Sequence, residues 1–223
     1  MDKFYRSDPP SHVAFPVASA GYPLIFAAAF TTAVFALLGL MIPALIGLAA
    51  TFFICYFFRD PDRVIPSQTG AAVSPADGKI IAAGAVDSSP FFKGDCIKIS
   101  IFMSVFNVHV NRIPHEGRIK RVSYNPGKFF SANLDKASHD NEQNAVLLET
   151  EDGRAICIVQ VAGLIARRII CKIQAGDIVA RGQRFGLICF GSRLDVYLPP
   201  NTSLKVVVGD RVTAGASVLG DLS

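Results

Sequence analysis

The chain has 223 residues, 51% of them hydrophobic and only 18% charged, with a formal net charge of +4 at pH 7. Soluble chains carry about a quarter charged residues, so this balance rules out a disordered, collagen-like or nucleic-acid-tail protein. The apolar excess is concentrated in one segment.

From Gly21 through Phe58 there is no Asp, Glu, Lys, Arg or His, a run of 38 residues. As one helix it would reach about 57 Å, nearly twice a hydrocarbon core of ~30 Å. Gly39-Leu40-Met41-Ile42-Pro43 interrupts it, because Pro43 is tolerated only near the first turn of a helix. The spacing predicts two arms, Tyr22–Leu38 and Pro43–Phe58, forming an apolar helical hairpin that spans or enters a membrane. A cleaved signal peptide has a far shorter apolar run. A hairpin buried in a soluble core needs polar positions on its outer face, and almost none are present. The predicted organisation is a tail over 1–20, the hairpin over 21–58 and a β domain over 59–223.

A hairpin returns both flanks to one compartment. The flanking charges Lys3, Arg6, Arg59 and Arg63 are offset by Asp2, Asp8, Asp60 and Asp62, so they set no orientation. The five cysteines are odd in number and show no CxxC or Cys/His metal spacing. A reducing setting follows, which predicts the cytoplasmic face of the cell membrane. Residues 64–223 hold 18 basic and 14 acidic side chains, so the positive excess lies there. It gathers in Arg112–Lys128 and Arg167–Arg184, as a solvated face or as a surface for anionic headgroups. Nucleic acid is disfavoured as a partner, since no binding motif is present.

The polar part reads as mainly β. Predicted strands are Lys79–Ala85, Cys96–Phe102, Ala145–Glu149, Ala155–Val161, Ile169–Ile173, Phe185–Phe190, Asp195–Leu198 and Leu204–Val208, separated by Gly, Pro and Asp turns. Short strands at this spacing point to a sandwich or barrel. Phe129–Asn144 is polar, lacks a period and reads as a long loop. A weak repeat runs through the C-terminal third: Gly176-Asp177 is followed by Val179 and Gly182, and Gly209-Asp210 by Val212 and Gly215. This hairpin pattern resembles lipoyl- and biotin-carrier-like hybrid sandwiches, although the lysine turn those carriers expose is absent.

The sequence shows no HExxH, no Gly-rich phosphate loop and no GxSxG elbow, so neither a metal nor a nucleotide is expected. What remains is Phe190-Gly191-Ser192-Arg193, between two apolar strands. Most Gly-Ser pairs are plain turns. Here Gly191, lacking Cβ, can adopt the geometry that attack of the Ser192 hydroxyl on its own preceding carbonyl requires.

Five motifs stand in order: Phe57-Phe58-Arg59-Asp60-Pro61-Asp62-Arg63, Ser74-Pro75-Ala76-Asp77-Gly78-Lys79, Phe102-Met103-Ser104-Val105-Phe106-Asn107-Val108-His109-Val110-Asn111-Arg112, Ala166-Arg167-Arg168-Ile169, and Arg184-Phe185-Gly186 running into Phe190-Gly191-Ser192-Arg193. Through them the chain resembles the phosphatidylserine decarboxylases, in their short bacterial and archaeal-type branch, over nearly its whole length. The resemblance implies a proenzyme that cuts itself between Gly191 and Ser192, turning Ser192 into a covalent pyruvoyl cofactor. Fragments 1–191 and 192–223 would remain together as a heterodimer. The substrate implied is phosphatidylserine, decarboxylated to phosphatidylethanolamine, with the pyruvoyl carbonyl as electron sink. His109 is implied as the base for Ser192, with Asp77 orienting its imidazole. Without the resemblance, His109 reads as a half-buried strand histidine and Asp77 as a turn aspartate. Arg167, Arg168 or Lys172 is implied to hold the headgroup. Longer relatives carry a second histidine where Arg112 stands and an acid where Asn107 stands. His109 must then do both jobs, or another group contributes. The rival readings are a pyruvoyl decarboxylase of a soluble amino acid and a non-enzymatic membrane-anchored adaptor.

Overall fold

A computed structural model describes residues 16–91, 93–127, 141–163, 168–189 and 191–222. It divides between Asp62 and Arg63 into an N-terminal helical unit and a β unit. In the first, a 3-10 turn (Ser19–Gly21) leads into α1 (Tyr22–Leu37), and α2 (Met41–Phe57) returns antiparallel. Gly39 makes the reversal at φ +69°, a left-handed conformation favoured by glycine. α2 begins two residues before Pro43, earlier than the sequence pattern suggests. The first four N–H groups of a helix have no partner within it, so the proline removes no bond there.

The two helices pack through small residues. Thr32 and Thr51 each donate a hydroxyl to the carbonyl four residues back, Ala28 and Gly47, and their oxygens lie 3.4 Å apart across the pair. A Cβ on Gly47 would meet Thr32 Oγ1 at 2.6 Å. The outer faces are bare hydrocarbon, with Phe26, Phe30, Leu37, Met41 and Ile42 each more than 70% exposed. The stretch Ser19–Leu37 is long and apolar enough to cross a membrane, whereas α2, at 17 residues, is shorter.

The β unit contains β1 (Ala71–Val73), β2 (Gly78–Ser88), β3 (Lys93–Met103), β4 (Val110–Arg112) and β5 (Gly117–Asn125). There follow β6 (Gln143–Glu149), β7 (Ala155–Ala162), β8 (Ile169–Cys171), β9 (Ile178–Val179) and β10 (Arg184–Ile188). The last four are β11 (Ser192–Leu198), β12 (Ser203–Leu204), β13 (Arg211–Val212) and β14 (Val218–Asp221). An eight-stranded antiparallel sheet runs β13-β2-β3-β11-β7-β6-β5-β9, with two three-stranded sheets, β1-β14-β12 and β4-β10-β8. The mainly-β architecture matches the sequence expectation. β5 was not anticipated, nor were β1, β4, β9, β13 and β14. β6 begins at Gln143, inside the stretch read as a loop; residues 129–140 of that stretch lie outside the described residues.

One face of the large sheet and the smaller sheets share a core that includes Ile80, Ile99, Ile101, Leu148, Ile158, Phe185 and Leu194. Burying such side chains is worth roughly 1.5–3 kcal/mol each, which makes this layer the main source of stability. β11 is buried on both faces. Leu194, Val196 and Leu198 enter the main core, while Tyr197 packs with Cys96, Cys157 and Val159 on the other side. Arg193 and Asp195 share that second side as a buried ion pair 2.9 Å apart, with Lys98 Nζ 3.2 Å from Asp195.

The sequence repeat marks the two edges of the large sheet. At one, Ile80 donates its N–H to the Asp210 carbonyl and accepts from Gly209; at the other, Ile119 does the same with Asp177 and Gly176. Asp210 and Asp177 each accept a backbone N–H three residues back, from Val207 and Gln174. The strands they cover begin alike, Pro75-Ala76-Asp77-Gly78-Lys79-Ile80 and Pro114-His115-Glu116-Gly117-Arg118-Ile119. The two copies clasp each other: Val73 donates to the Pro114 carbonyl and Arg112 to the Pro75 carbonyl. The β unit is thus built on an internal pseudo-repeat that leaves both sheet edges covered.

Candidate active site

Inner-facing positions of the large sheet are apolar over most of its length and polar at one end. There Met103, Ser192 and Ala162 stand in register on β3, β11 and β7. Gln160 and Asn144 follow on β7 and β6, also in register. Asn111, on β4, comes from the small sheet packed above. Ser192, Asn111, Gln160 and Asn144 are all buried.

Gly191 has φ +72°, and nothing lies within 4 Å of where a Cβ would stand. Conformation rather than crowding favours glycine here. Ser192 follows as the first residue of β11, with its Oγ donating to Met103 Sδ at 3.4 Å. A thioether is a weak acceptor and takes no proton, so this contact holds the hydroxyl without activating it.

His109 is buried. Its Nδ1 lies 2.9 Å from the Asn107 carbonyl, and the Gly191 N–H reaches its Nε2 at 3.4 Å. A carbonyl can only accept and a backbone N–H can only donate. Together they fix a neutral imidazole protonated on Nδ1, with the Nε2 lone pair directed at the Gly191–Ser192 segment. Asn107 accepts the N–H and hydroxyl of Ser104 through Oδ1, which shapes the turn that presents its carbonyl to His109.

Asp77 makes other contacts. One carboxylate oxygen pairs with Arg63 at 2.9 Å and the other accepts the Ala214 N–H at 2.7 Å. Its counterpart in the repeat, Glu116, accepts instead from two guanidinium nitrogens of Arg181. Burial raises the Glu116 carboxyl, but hydrogen bonds from Arg181, the charge of His115 and its own backbone outweigh it, and the group ends below its ordinary range. The two acids therefore tie the turns ahead of β2 and β5 to the turns that follow the short edge strands β13 and β9.

Of the basic residues expected at the headgroup, Arg167 lies outside the described residues, and Arg168 and Lys172 are exposed at the two ends of β8. Arg168 accepts the Cys189 N–H on its carbonyl, and its charge acts on the Cys189 thiol, which burial nonetheless raises. Lys172 donates its N–H to Phe185, four residues further from the Gly191 turn along β10, about 13 Å of strand. Arg168 is the better placed of the two.

Sequence reading did not single out Asn111, Gln160, Asn144 or Met103. Gln160 Nε2 donates to Asn111 Oδ1 at 2.9 Å and to the Ile170 carbonyl at 3.4 Å, and its Oε1 accepts from Asn144 at 3.0 Å. Asn111 Nδ2 then points to Met103 Sδ at 3.8 Å. A Cβ on Gly186 would come within 2.9 Å of Gln160 Nε2 and 2.3 Å of the Ile170 carbonyl, which explains the glycine in Arg184-Phe185-Gly186.

A family model described as phosphatidylserine decarboxylase matches residues 50–220. The chain belongs to the phosphatidylserine decarboxylase family. It is 51% identical over 207 residues to the phosphatidylserine decarboxylase proenzyme of Syntrophotalea carbinolica, covering 93% of this chain and 97% of that one. It is 51% identical to the proenzyme of Syntrophus aciditrophicus over 206 residues, 92% and 96% of the two chains. With the Ralstonia nicotianae proenzyme the identity is 53% over 172 residues, 77% and 80% of the two chains. Phosphatidylserine decarboxylases are carboxy-lyases, and the polar end of the sheet is where this member gathers a buried serine, a histidine and a glycine turn.

Proposed function

We propose that the chain is the proenzyme of a phosphatidylserine decarboxylase, cut by its own Ser192 into fragments 1–191 and 192–223. The observation that carries this reading is the His109 Nε2 lone pair on the Gly191 N–H, one residue ahead of a buried serine whose hydroxyl rests on Met103 Sδ. Ser192 Oγ bonds to the Gly191 carbonyl carbon as its proton passes to His109 Nε2. The carbonyl electron pair moves onto oxygen. On collapse the Gly191–Ser192 C–N bond breaks, and the Ser192 nitrogen takes the proton back from the imidazolium, leaving an ester. Loss of the Ser192 Cα proton expels the Gly191 carboxylate and leaves dehydroalanine, which water converts to a pyruvoyl group and ammonia.

The residues present fit such a group. Position 192 heads a strand paired to β3 and β7 along its length, so a new chain end there stays anchored and out of water. The same pairing would hold the two fragments together as a heterodimer. When formed, the pyruvoyl carbonyl supplies the electron sink for loss of CO₂. His109 Nε2 holds the proton returned to the substrate carbon. Arg168, with Arg167 beside it in sequence and Lys172 at the far end of β8, supplies positive charge for the headgroup phosphodiester or carboxylate. Asp77 acts as a positioning residue, fixing the turn before β2 against the turn before β14. The apolar hairpin inserts in the membrane, which keeps the basic β unit at an anionic surface on the cytoplasmic face.

Incubation of the full-length protein with phosphatidylserine vesicles is expected to release CO₂ and phosphatidylethanolamine. The Ser192→Ala protein, with unchanged circular dichroism, should release neither. Turnover by Ser192→Ala at the wild-type rate would overturn the proposal.

A further inference from the structure

Asn111 is fully buried in the polar end of the sheet, and its amide orientation is set from outside. Gln160 has both ends of its carboxamide engaged: Oε1 by the Asn144 N–H, Nε2 by the Asn111 oxygen and the Ile170 carbonyl. The Asn111 oxygen must therefore face Gln160, and its NH₂ must face the other way. On that side its acceptor is Met103 Sδ at 3.8 Å, the same sulfur that receives the Ser192 hydroxyl at 3.4 Å. A primary amide is a strong donor and a thioether a poor acceptor, so a buried N–H pair is left underused beside the nucleophile.

We propose that Asn111, oriented by Gln160, donates the hydrogen bond that stabilises the oxyanion formed on Gly191 when Ser192 attacks. This rests on the self-cleavage reading above. As Ser192 Oγ bonds to the Gly191 carbon and gives its proton to His109 Nε2, the carbonyl pair becomes a full negative charge on oxygen. A preset donor in a dry site is worth far more to that charge than to the neutral carbonyl, and removing one such donor costs about 10²–10³ in rate. The donor also answers what accompanies His109 where longer relatives have a second histidine, because Arg112 at that position directs its guanidinium to the Gly182 carbonyl.

Two isosteric substitutions separate donation from packing. Asn111→Asp keeps the oxygen that Gln160 binds and removes the N–H. Gln160→Glu leaves Asn111 in place but turns its amide round, since the new carboxylate draws the Asn111 NH₂ toward itself. Each purified full-length variant is followed by denaturing gel for appearance of the 192–223 fragment, with and without hydroxylamine, which cleaves an ester once it has formed. Each variant that folds should cleave roughly a hundredfold more slowly and gain nothing from hydroxylamine, because the step before the ester is the one slowed. Cleavage at the wild-type rate by either folded variant overturns the role of Asn111, and so does full rescue by hydroxylamine. If Asn111→Asp does not fold, Gln160→Glu decides alone. Persistence of the uncut wild type would instead overturn self-cleavage itself, and this inference with it.

Discussion

At the scale of residues, chemistry depends on which lone pair faces which proton. The Asn107 carbonyl holds the Nδ1 proton of His109, which leaves the Nε2 lone pair to accept the Gly191 N–H. General-base assistance contributes about 10²–10⁴ in rate. His109→Gln keeps a polar side chain of similar reach but has no basic nitrogen. It should slow formation of the small fragment at least about a hundredfold, measured on gels over days, while its thermal melt stays cooperative. Unchanged cleavage would remove His109 from the mechanism. Ser192, Gly191 and His109 stand out in the sequence as candidates because each sits in a short motif with neighbours that mark it. Met103 and Asn111 lie in the same motif as His109, but nothing in it says that they meet Ser192 and Gln160. Those meetings arise where three strands and a second sheet come together, and Gln160, a lone Gln in an apolar run, carries no local signal of its partner.

The elements form by alternation and are closed by turns. The long inner strands were readable from their Val and Ile content, whereas β5 was hidden. Arg118, Lys120 and Arg121 made it look like a charged patch, yet Ile119 on the opposite face is fully buried. β9 and β13 are two residues each, too short for any periodicity. The repeated Gly-Asp turns were visible, but the matching starts of β2 and β5 were not, because Asp77 and Glu116 share only charge and turn position. Glu116 gives this level its test. Its carboxyl is held below the ordinary range in the folded chain, so its contribution is present above the unfolded value of about 4.3 and is lost as pH falls through the folded value. Glu116→Gln should lower stability by about 1–2 kcal/mol at pH 7 in urea titrations. The gap between variant and wild type should close as the pH is brought below 4. A gap that persists undiminished in acid would show that the ion pair with Arg181 is not what fastens this edge.

For the whole molecule, an average of 51% hydrophobic residues resolves into two unlike parts. One is a helical pair whose exposed surface is hydrocarbon, and the other is a β unit that buries its own core and carries the positive excess. The hairpin was plain in the sequence because 38 residues without a charge admit few other shapes. The sheet order was not, since β11 pairs with β3 and β7 across long sequence separations that no local pattern encodes. The residue after the Gly191 turn is clamped by strands on both sides, so the proposed cleavage there would leave the two fragments held together. Denaturing mass spectrometry of the purified full-length protein tests this most directly. The predicted result is two chains, 1–191 at its full mass and 192–223 lighter by one ammonia than its sequence, with Ser192→Ala giving a single chain. A wild-type preparation that decarboxylates phosphatidylserine while remaining one intact chain of 23.9 kDa would contradict it.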